Sequence, residues 1–340
     1  MEAFGTTAGG DEVHRVSIAG GGLTAAIIDW GAVVQDLRLE GHPPPLVLGF
    51  DEFGYYPAHS PYFGAIVGRF ANRIAGGRFA IDGAVFRTDR NAAARHTLHG
   101  GGHGIDKRVW RFTETGSDFA TLALRDTAGE MGFPGNLDIE CTYRLLPGGR
   151  LSVELRAKTD APTPCNLAHH SYFNLEDGGR SDIFGHRLLI EADAFLPVDE
   201  DLIPTGTVQP IAGTPFDFRH ARPIRHDGGQ FYDHCFCLSA ARRPLCRAAW
   251  AQAPVSGLEM EVWTTEPGLQ FYAGGDIIAM PPGIDGIDYR PASGFCLEAQ
   301  GWPDSPNRRY FPSSLLAPGE TYRQVTEYRF HKGPAEITGP

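Results

Sequence analysis

Two runs of strict alternation flank a Pro-Gly-Gly turn, and they constrain the fold of this chain more than any other feature. In Leu137-Asp-Ile-Glu-Cys-Thr-Tyr-Arg-Leu145 the apolar residues fall at odd positions. After Pro147-Gly-Gly149 the pattern resumes as Leu151-Ser-Val-Glu-Leu-Arg-Ala157. A period of two places every second side chain on one face, so the pair reads as an antiparallel hairpin with one buried side. Shorter runs of the same kind occur at 15–19, 23–29, 33–39, 119–125, 187–192, 258–265 and 322–330. Gly (43) and Pro (26) are spread along the whole length of 340 residues, which suits many short strands joined by turns. Helical periodicity is scarce. Its best stretch, Ser239–Gln252, is interrupted by Pro244. The expected architecture is all-β: one large antiparallel β-sandwich domain over residues 1–340, with its core at about 12–331 and a loose C-terminal tail at 332–340.

The net charge of −11 argues against a nucleic-acid backbone or an anionic membrane as partner. No apolar run reaches the roughly 18 residues of a membrane span. Residues 1–14 lack the basic start and apolar segment of a signal peptide. The six cysteines show no disulfide-scaffold spacing, and Cys235 and Cys237 would point the same way along a strand. Reduced thiols in the cytoplasm are therefore expected.

Five segments combine ionisable residues with Gly, Pro and aromatics in a way that a plain core strand does not. They are Gly68-Arg-Phe-Ala-Asn-Arg-Ile74, His96-Thr-Leu-His-Gly-Gly101, Asn166-Leu-Ala-His-His-Ser-Tyr-Phe-Asn-Leu175, Phe231-Tyr-Asp-His-Cys-Phe236 and Cys296-Leu-Glu-Ala-Gln-Gly-Trp-Pro-Asp-Ser-Pro-Asn307. A lone His in a β protein is more often a hydrogen-bonded structural residue, and Glu298 alone could simply face solvent. Together, however, they supply two carboxylates (Asp233, Glu298), imidazoles (His99, His169, His170), Asn72 and Arg73. That inventory suits a sugar, which needs donors and acceptors for hydroxyls, apolar faces and an acid–base pair.

In this order the five segments resemble the aldose 1-epimerases, also called galactose mutarotases, over about residues 31–322. Pro303-Asp-Ser-Pro-Asn307, followed by Phe311-Pro-Ser and Pro318-Gly-Glu-Thr-Tyr322, is a distinctive ending. His99-Gly-Gly and His170-Ser-Tyr-Phe-Asn-Leu175 are comparably distinctive. The resemblance implies a sandwich of the galactose-mutarotase type with an open cleft across one sheet. It also implies interconversion of the α and β anomers of free aldohexoses such as glucose and galactose, without metal or organic cofactor, by a monomer or homodimer. It assigns Glu298 as general base and His170 as general acid. Asn72, Arg73, His99, Asp233 and Gln270 become sugar contacts, and Tyr172, inside the His170 motif, joins them. Two departures stand out: His169, where similar proteins often carry Asn, and Ala273-Gly-Gly275 in place of Thr-Gly-Asn. Both bear on sugar preference.

The residue types suit the reaction. Opening a hemiacetal removes the C1 hydroxyl proton and delivers one to the ring oxygen. An ordinary Glu (pKa ~4.3) is ionised at pH 7, and an ordinary His (pKa ~6.5) holds a proton at small cost. Rival readings remain. His96, His99 and His103 crowd one loop and could hold zinc, although the adjacent His169 and His170 of a strand point to opposite faces. Asp233 and Glu298 could serve a glycoside hydrolase, which would leave the histidines idle. A hexose-phosphate epimerase would need an added basic cluster. A non-catalytic sugar-binding protein would have no need of Glu298 and His170. Trp302 is equally compatible with a cleft-lining and a structural role.

Overall fold

Strands Leu137–Leu146 and Arg150–Thr159 pair antiparallel across the Pro147-Gly-Gly turn, with Leu145 opposite Leu151. Gly148 and Gly149 adopt φ of +81° and +67°, a conformation that costs glycine little. Ile139, Cys141, Tyr143, Leu151, Val153 and Leu155 are all buried, so the odd-position pattern is the core face. Each such side chain contributes roughly 1.5–3 kcal/mol on burial. The computed structural model describes residues 1–225, 229 and 231–332. The expected loose tail, apart from Lys332, lies outside the described residues.

This hairpin supplies the third and fourth strands of a nine-stranded antiparallel sheet. Its strands run in the order Arg111–Thr115, Phe119–Asp126, Leu137–Leu146, Arg150–Thr159, Tyr322–Lys332, Leu258–Thr264, Cys246–Gln252, Arg187–Ile190 and Arg222–Pro223. The weakly helical stretch 239–252 ends as the strand Cys246–Gln252. A four-stranded meander (Glu2–Thr6, Glu12–Gly20, Leu23–Ile28, Val33–Leu39) accounts for the first runs of alternation. The third sheet has five strands: Gln209–Pro210, Ala194–Phe195, Asp233–Cys237, Gly268–Tyr272 and Cys296–Gln300.

The nine- and five-stranded sheets share one apolar core. Phe236, Leu269, Phe271, Leu297 and Ala299 of the smaller sheet join the hairpin residues in a single buried cluster. Gln324 Nε2 donates to the Ala299 carbonyl at 2.7 Å, and Tyr328 Oη to that of Leu297 at 3.4 Å. The β-sandwich expected from alternation is the observed fold. With one face of the five-stranded sheet committed to the core, alternation turns Asp233, Gln270 and Glu298 to the other face. No helix among the described residues is long and apolar enough to cross a membrane.

Candidate active site

Register builds the floor of the site. Gln270 stands directly opposite Glu298 on the neighbouring strand, and Cys235 opposite Gln270 on the next. One row along, Asp233, Tyr272 and Cys296 align in the same way. Gln270 Nε2 donates to Asp233 Oδ1 at 2.5 Å, and Arg73 Nη2 approaches Asp233 Oδ2 to 3.6 Å.

His170 follows the short strand Ala168–His169, which pairs with Ile66–Val67. The two histidines diverge as strand geometry requires. His169 enters the interior beside Tyr143 and approaches Ser171 Oγ at 3.0 Å and Tyr328 Oη at 3.3 Å. That burial brings its pKa down to about 3. The departure at position 169 therefore concerns core packing. His170 faces the sheet floor, with Nε2 3.6 Å from Glu298 Oε2. In the second departure a side chain on Gly275 would run into the Phe231 ring, so glycine makes room for that aromatic.

Asn72 and His99 sit at φ of +64° and +48°, left-handed conformations costly for residues with a Cβ. Such strain recurs at functional sites. The backbone N–H of Asn72 donates to His99 Nδ1 at 3.2 Å, and Asn72 Oδ1 accepts the Arg73 N–H at 2.9 Å. The neutral His99 ring consequently carries its proton on Nε2.

The predicted residues converge here, and Tyr172 does so through its ring. Its hydroxyl donates to the Pro61 carbonyl at 2.9 Å, while the ring stacks on His170 at 5.3 Å and 24°. Sequence reasoning missed Tyr62, which stacks on His170 at 5.4 Å and 29° and lies 4.6 Å from His99. The two tyrosines thus clasp the His170 imidazole. Tyr62 occupies a tight turn at φ +71°, held by Phe63 N–H to Ser60 Oγ (2.8 Å) and by Gly64 N–H to the His170 carbonyl (3.1 Å). Pro61-Tyr62-Phe63-Gly64 carries a turn signal in sequence, but nothing local names His170 as its target.

Burial changes the electrostatics expected from reference values. Glu298 and His170 are only 3% and 4% exposed. Desolvation pushes the Glu298 carboxyl well above its usual range; the Asp233 charge adds to this, and Arg73 opposes it. Desolvation also brings His170 down to about 4. The expectation of an ordinary ionised Glu and a near-neutral His is therefore corrected. The buried pair favours one shared proton and no net charge. Glu298 Oε2 and Gln270 Oε1 are buried without a hydrogen-bond partner among the described residues, a costly condition that a ligand's hydroxyls would relieve.

His99, His170 and Glu298 each offer a ligand atom within 4.8 Å of the others, the one such group of three among the described residues. His99 fits metal ligation poorly, because the nitrogen left after the Asn72 bond bears the proton. The His96–His99–His103 cluster is dispersed: His96 accepts from Gly76 N–H and approaches Asp201, while His103 lines a separate groove. Asp233, the second carboxylate of the hydrolase reading, is tied to Gln270 and Arg73. Trp302 is structural, donating from Nε1 to the Pro267 carbonyl and packing on Phe311. All six cysteines are free.

Comparison with known proteins shows the family. The sequence profile of the aldose 1-epimerase family matches residues 14–329. A galactose mutarotase of Rattus norvegicus is 42% identical over 336 residues, 95% of each chain. An aldose 1-epimerase of Escherichia coli K12 is 38% identical over 322 residues, covering 91% of this chain and 92% of that protein. The crystal structure of a GalM/aldose epimerase homologue from C. elegans superposes with a TM-score of 0.87 at 28% identity, covering 95% of this chain and all of that one. The resemblance carried by the five segments is borne out, and this chain belongs to the aldose 1-epimerase family.

Proposed function

We propose that this enzyme interconverts the α and β anomers of free aldohexoses, glucose and galactose among them, with Glu298 and His170 moving the protons. The observation that carries this reading is the buried, unpartnered Oε2 of Glu298 beside His170 Nε2 at 3.6 Å. The two reacting oxygens of a hemiacetal share one carbon, so an acid and a base that reach both must stand side by side. In the opening step the pair's proton stands on His170: Glu298, then ionised, takes the C1 hydroxyl proton while His170 delivers its own to the ring oxygen. The C1–O5 bond breaks and an aldehyde forms. Rotation about C1–C2 presents the other carbonyl face, and the reversed transfers close the ring. A pair that holds one proton between its members has the stoichiometry this exchange needs.

His99, with its proton on Nε2, donates to a sugar oxygen. Arg73 supplies planar donors and does not act as the acid, since a guanidinium keeps its proton in proteins. Asp233 and Gln270 accept hydroxyl hydrogen bonds and set the register of the ring. The names of the relatives support the activity. The six free thiols favour a cytoplasmic setting.

Polarimetry tests the reading. With pure α-D-galactose or α-D-glucose, the wild-type protein accelerates the decay of rotation. Glu298→Gln and His170→Asn should each slow the catalysed rate by about 10²–10⁴-fold while the fold persists. Full activity in both variants would remove the assigned roles.

A further inference from the structure

Two short strands lead away from the site to a second, basic cavity. The Asn72 carbonyl accepts the His99 N–H at 3.0 Å, Arg73 then pairs with Leu98 and Ile74 with Thr97. Beyond them Gly76 N–H donates to His96 Nδ1 at 3.0 Å. Three residues of extended chain separate the ends, about 10 Å. Ala75, Gly76 and His96 there line a cavity of about 540 Å³ whose other walls include Arg78, Arg90, Arg95 and Arg308.

Two of these arginines are already answered. Arg308 Nε donates to the buried Asp304 at 2.9 Å, and Arg95 to Asp201 at 2.5 Å. Arg78 and Arg90 have no ion-pair or hydrogen-bond partner for their guanidinium groups among the described residues. Arg78 also stands directly opposite Arg87 in the hairpin Arg78–Ile81/Ala84–Arg87, and Arg87 is likewise unpartnered. Like charges facing each other across a ladder are destabilising. These exposed guanidinium groups form a positive edge, on a chain of net charge −11, that an anion would neutralise. Gly77, at φ +56°, leaves room for the Arg90 stem: a Cβ there would lie 2.8 Å from Arg90 Cγ.

We propose that this cavity binds a phosphate group, gripped by Arg78 and Arg90 and steadied by Arg87. A tetrahedral dianion offers several oxygens to forked guanidinium donors. The site is separate from the proton-transfer pair, so its test stands apart from the catalytic assignment.

Isothermal titration with inorganic phosphate, at low ionic strength, reads the site directly. Wild-type protein should bind, and the double variant Arg78→Gln/Arg90→Gln should bind about tenfold or more weakly. Galactose mutarotation should not change, and the melting temperature should not fall, since the Arg78–Arg87 repulsion is relieved. Arg87→Gln alone, at an exposed position, should weaken phosphate by a smaller factor and guards against a folding defect in the double variant. Galactose 6-phosphate separates the sources. A KM that rises in the double variant for this sugar but not for galactose means that the substrate carries the phosphate. An unchanged KM alongside lost phosphate binding means a free anion. Either result supports the site. Failure of the wild type to bind phosphate, or equal binding by the double variant, overturns it.

Discussion

Asp304 clamps the segment that carries Arg73: its backbone N–H donates to the Arg73 carbonyl at 2.9 Å, and its Oδ1 accepts the Ala75 N–H at 2.9 Å. Asn307 Nδ2 and Arg308 Nε complete the shell of this fully buried carboxylate, which sits at φ +58°. The Pro303-Asp-Ser-Pro-Asn307 motif thus positions the proposed sugar-contact segment, with Ala75 and Asp304 229 residues apart in sequence. Asp304→Ala should leave buried donors unmet, lower stability by about 1–3 kcal/mol and raise the KM for galactose more than it lowers kcat. Asp304→Asn, which keeps an acceptor at Oδ1, should recover most of the KM. Urea denaturation and polarimetric kinetics measure both.

The pH profile follows from the buried pair. The His170 pKa in the folded protein is about 4, below the free value of 6.5. Between those values the unfolded chain binds a proton that the folded one refuses. The stability contribution is therefore present above about 6.5 and is lost as pH falls towards 4. For activity, the one-proton form of the pair survives over the same window. A plot of log kcat/KM against pH should hold level below 6 and bend down only near 4. An acid limb centred near 6.5 would contradict the buried-pair electrostatics.

Tyr62 should matter through its ring. Tyr62→Phe retains the stack on His170 and should keep near-wild-type kcat. Tyr62→Ala opens one side of the imidazole to water, weakening the desolvation that depresses its pKa. A fall in kcat of about tenfold is expected from lost orientation. The acid limb should also move upward, a change that a purely structural role would not produce.

Metal removal should have no effect. Dialysis against a chelator is expected to leave the polarimetric rate unchanged, because the His99 nitrogen facing the site is protonated. Loss of activity with recovery on adding zinc would revive the ligand reading of His99, His170 and Glu298.

Local sequence carried the strands and most of the residues gathered at the site. Alternation at 137–157 sufficed to place Tyr143 and Val153 inside, because a period of two has only two faces to choose between. Glu298 was legible from its motif. Its unusual proton affinity was not, since that depends on Asp233 and Arg73 brought from distant strands and loops. Tyr62 lies 108 positions before the ring it stacks on, and no periodicity spans such a gap. Tyr172 was found by motif but not by role: the Pro61 carbonyl that occupies its hydroxyl is visible only in three dimensions. The same holds for His169, whose inward direction required knowing which face of a short strand meets Tyr143.

The three strands beneath the site have a practical consequence. Asp233, Gln270 and Glu298 ride on adjacent hydrogen-bonded strands, so their mutual spacing is an invariant of the ladder. Tyr62, Asn72 and His99 instead hang from strained turns above it. Redesign for other aldoses therefore has a natural seam: exchanging the Asn72 and His99 turns alters which ring is admitted while the carboxylates keep their spacing, so long as the Tyr62 turn that braces His170 is kept.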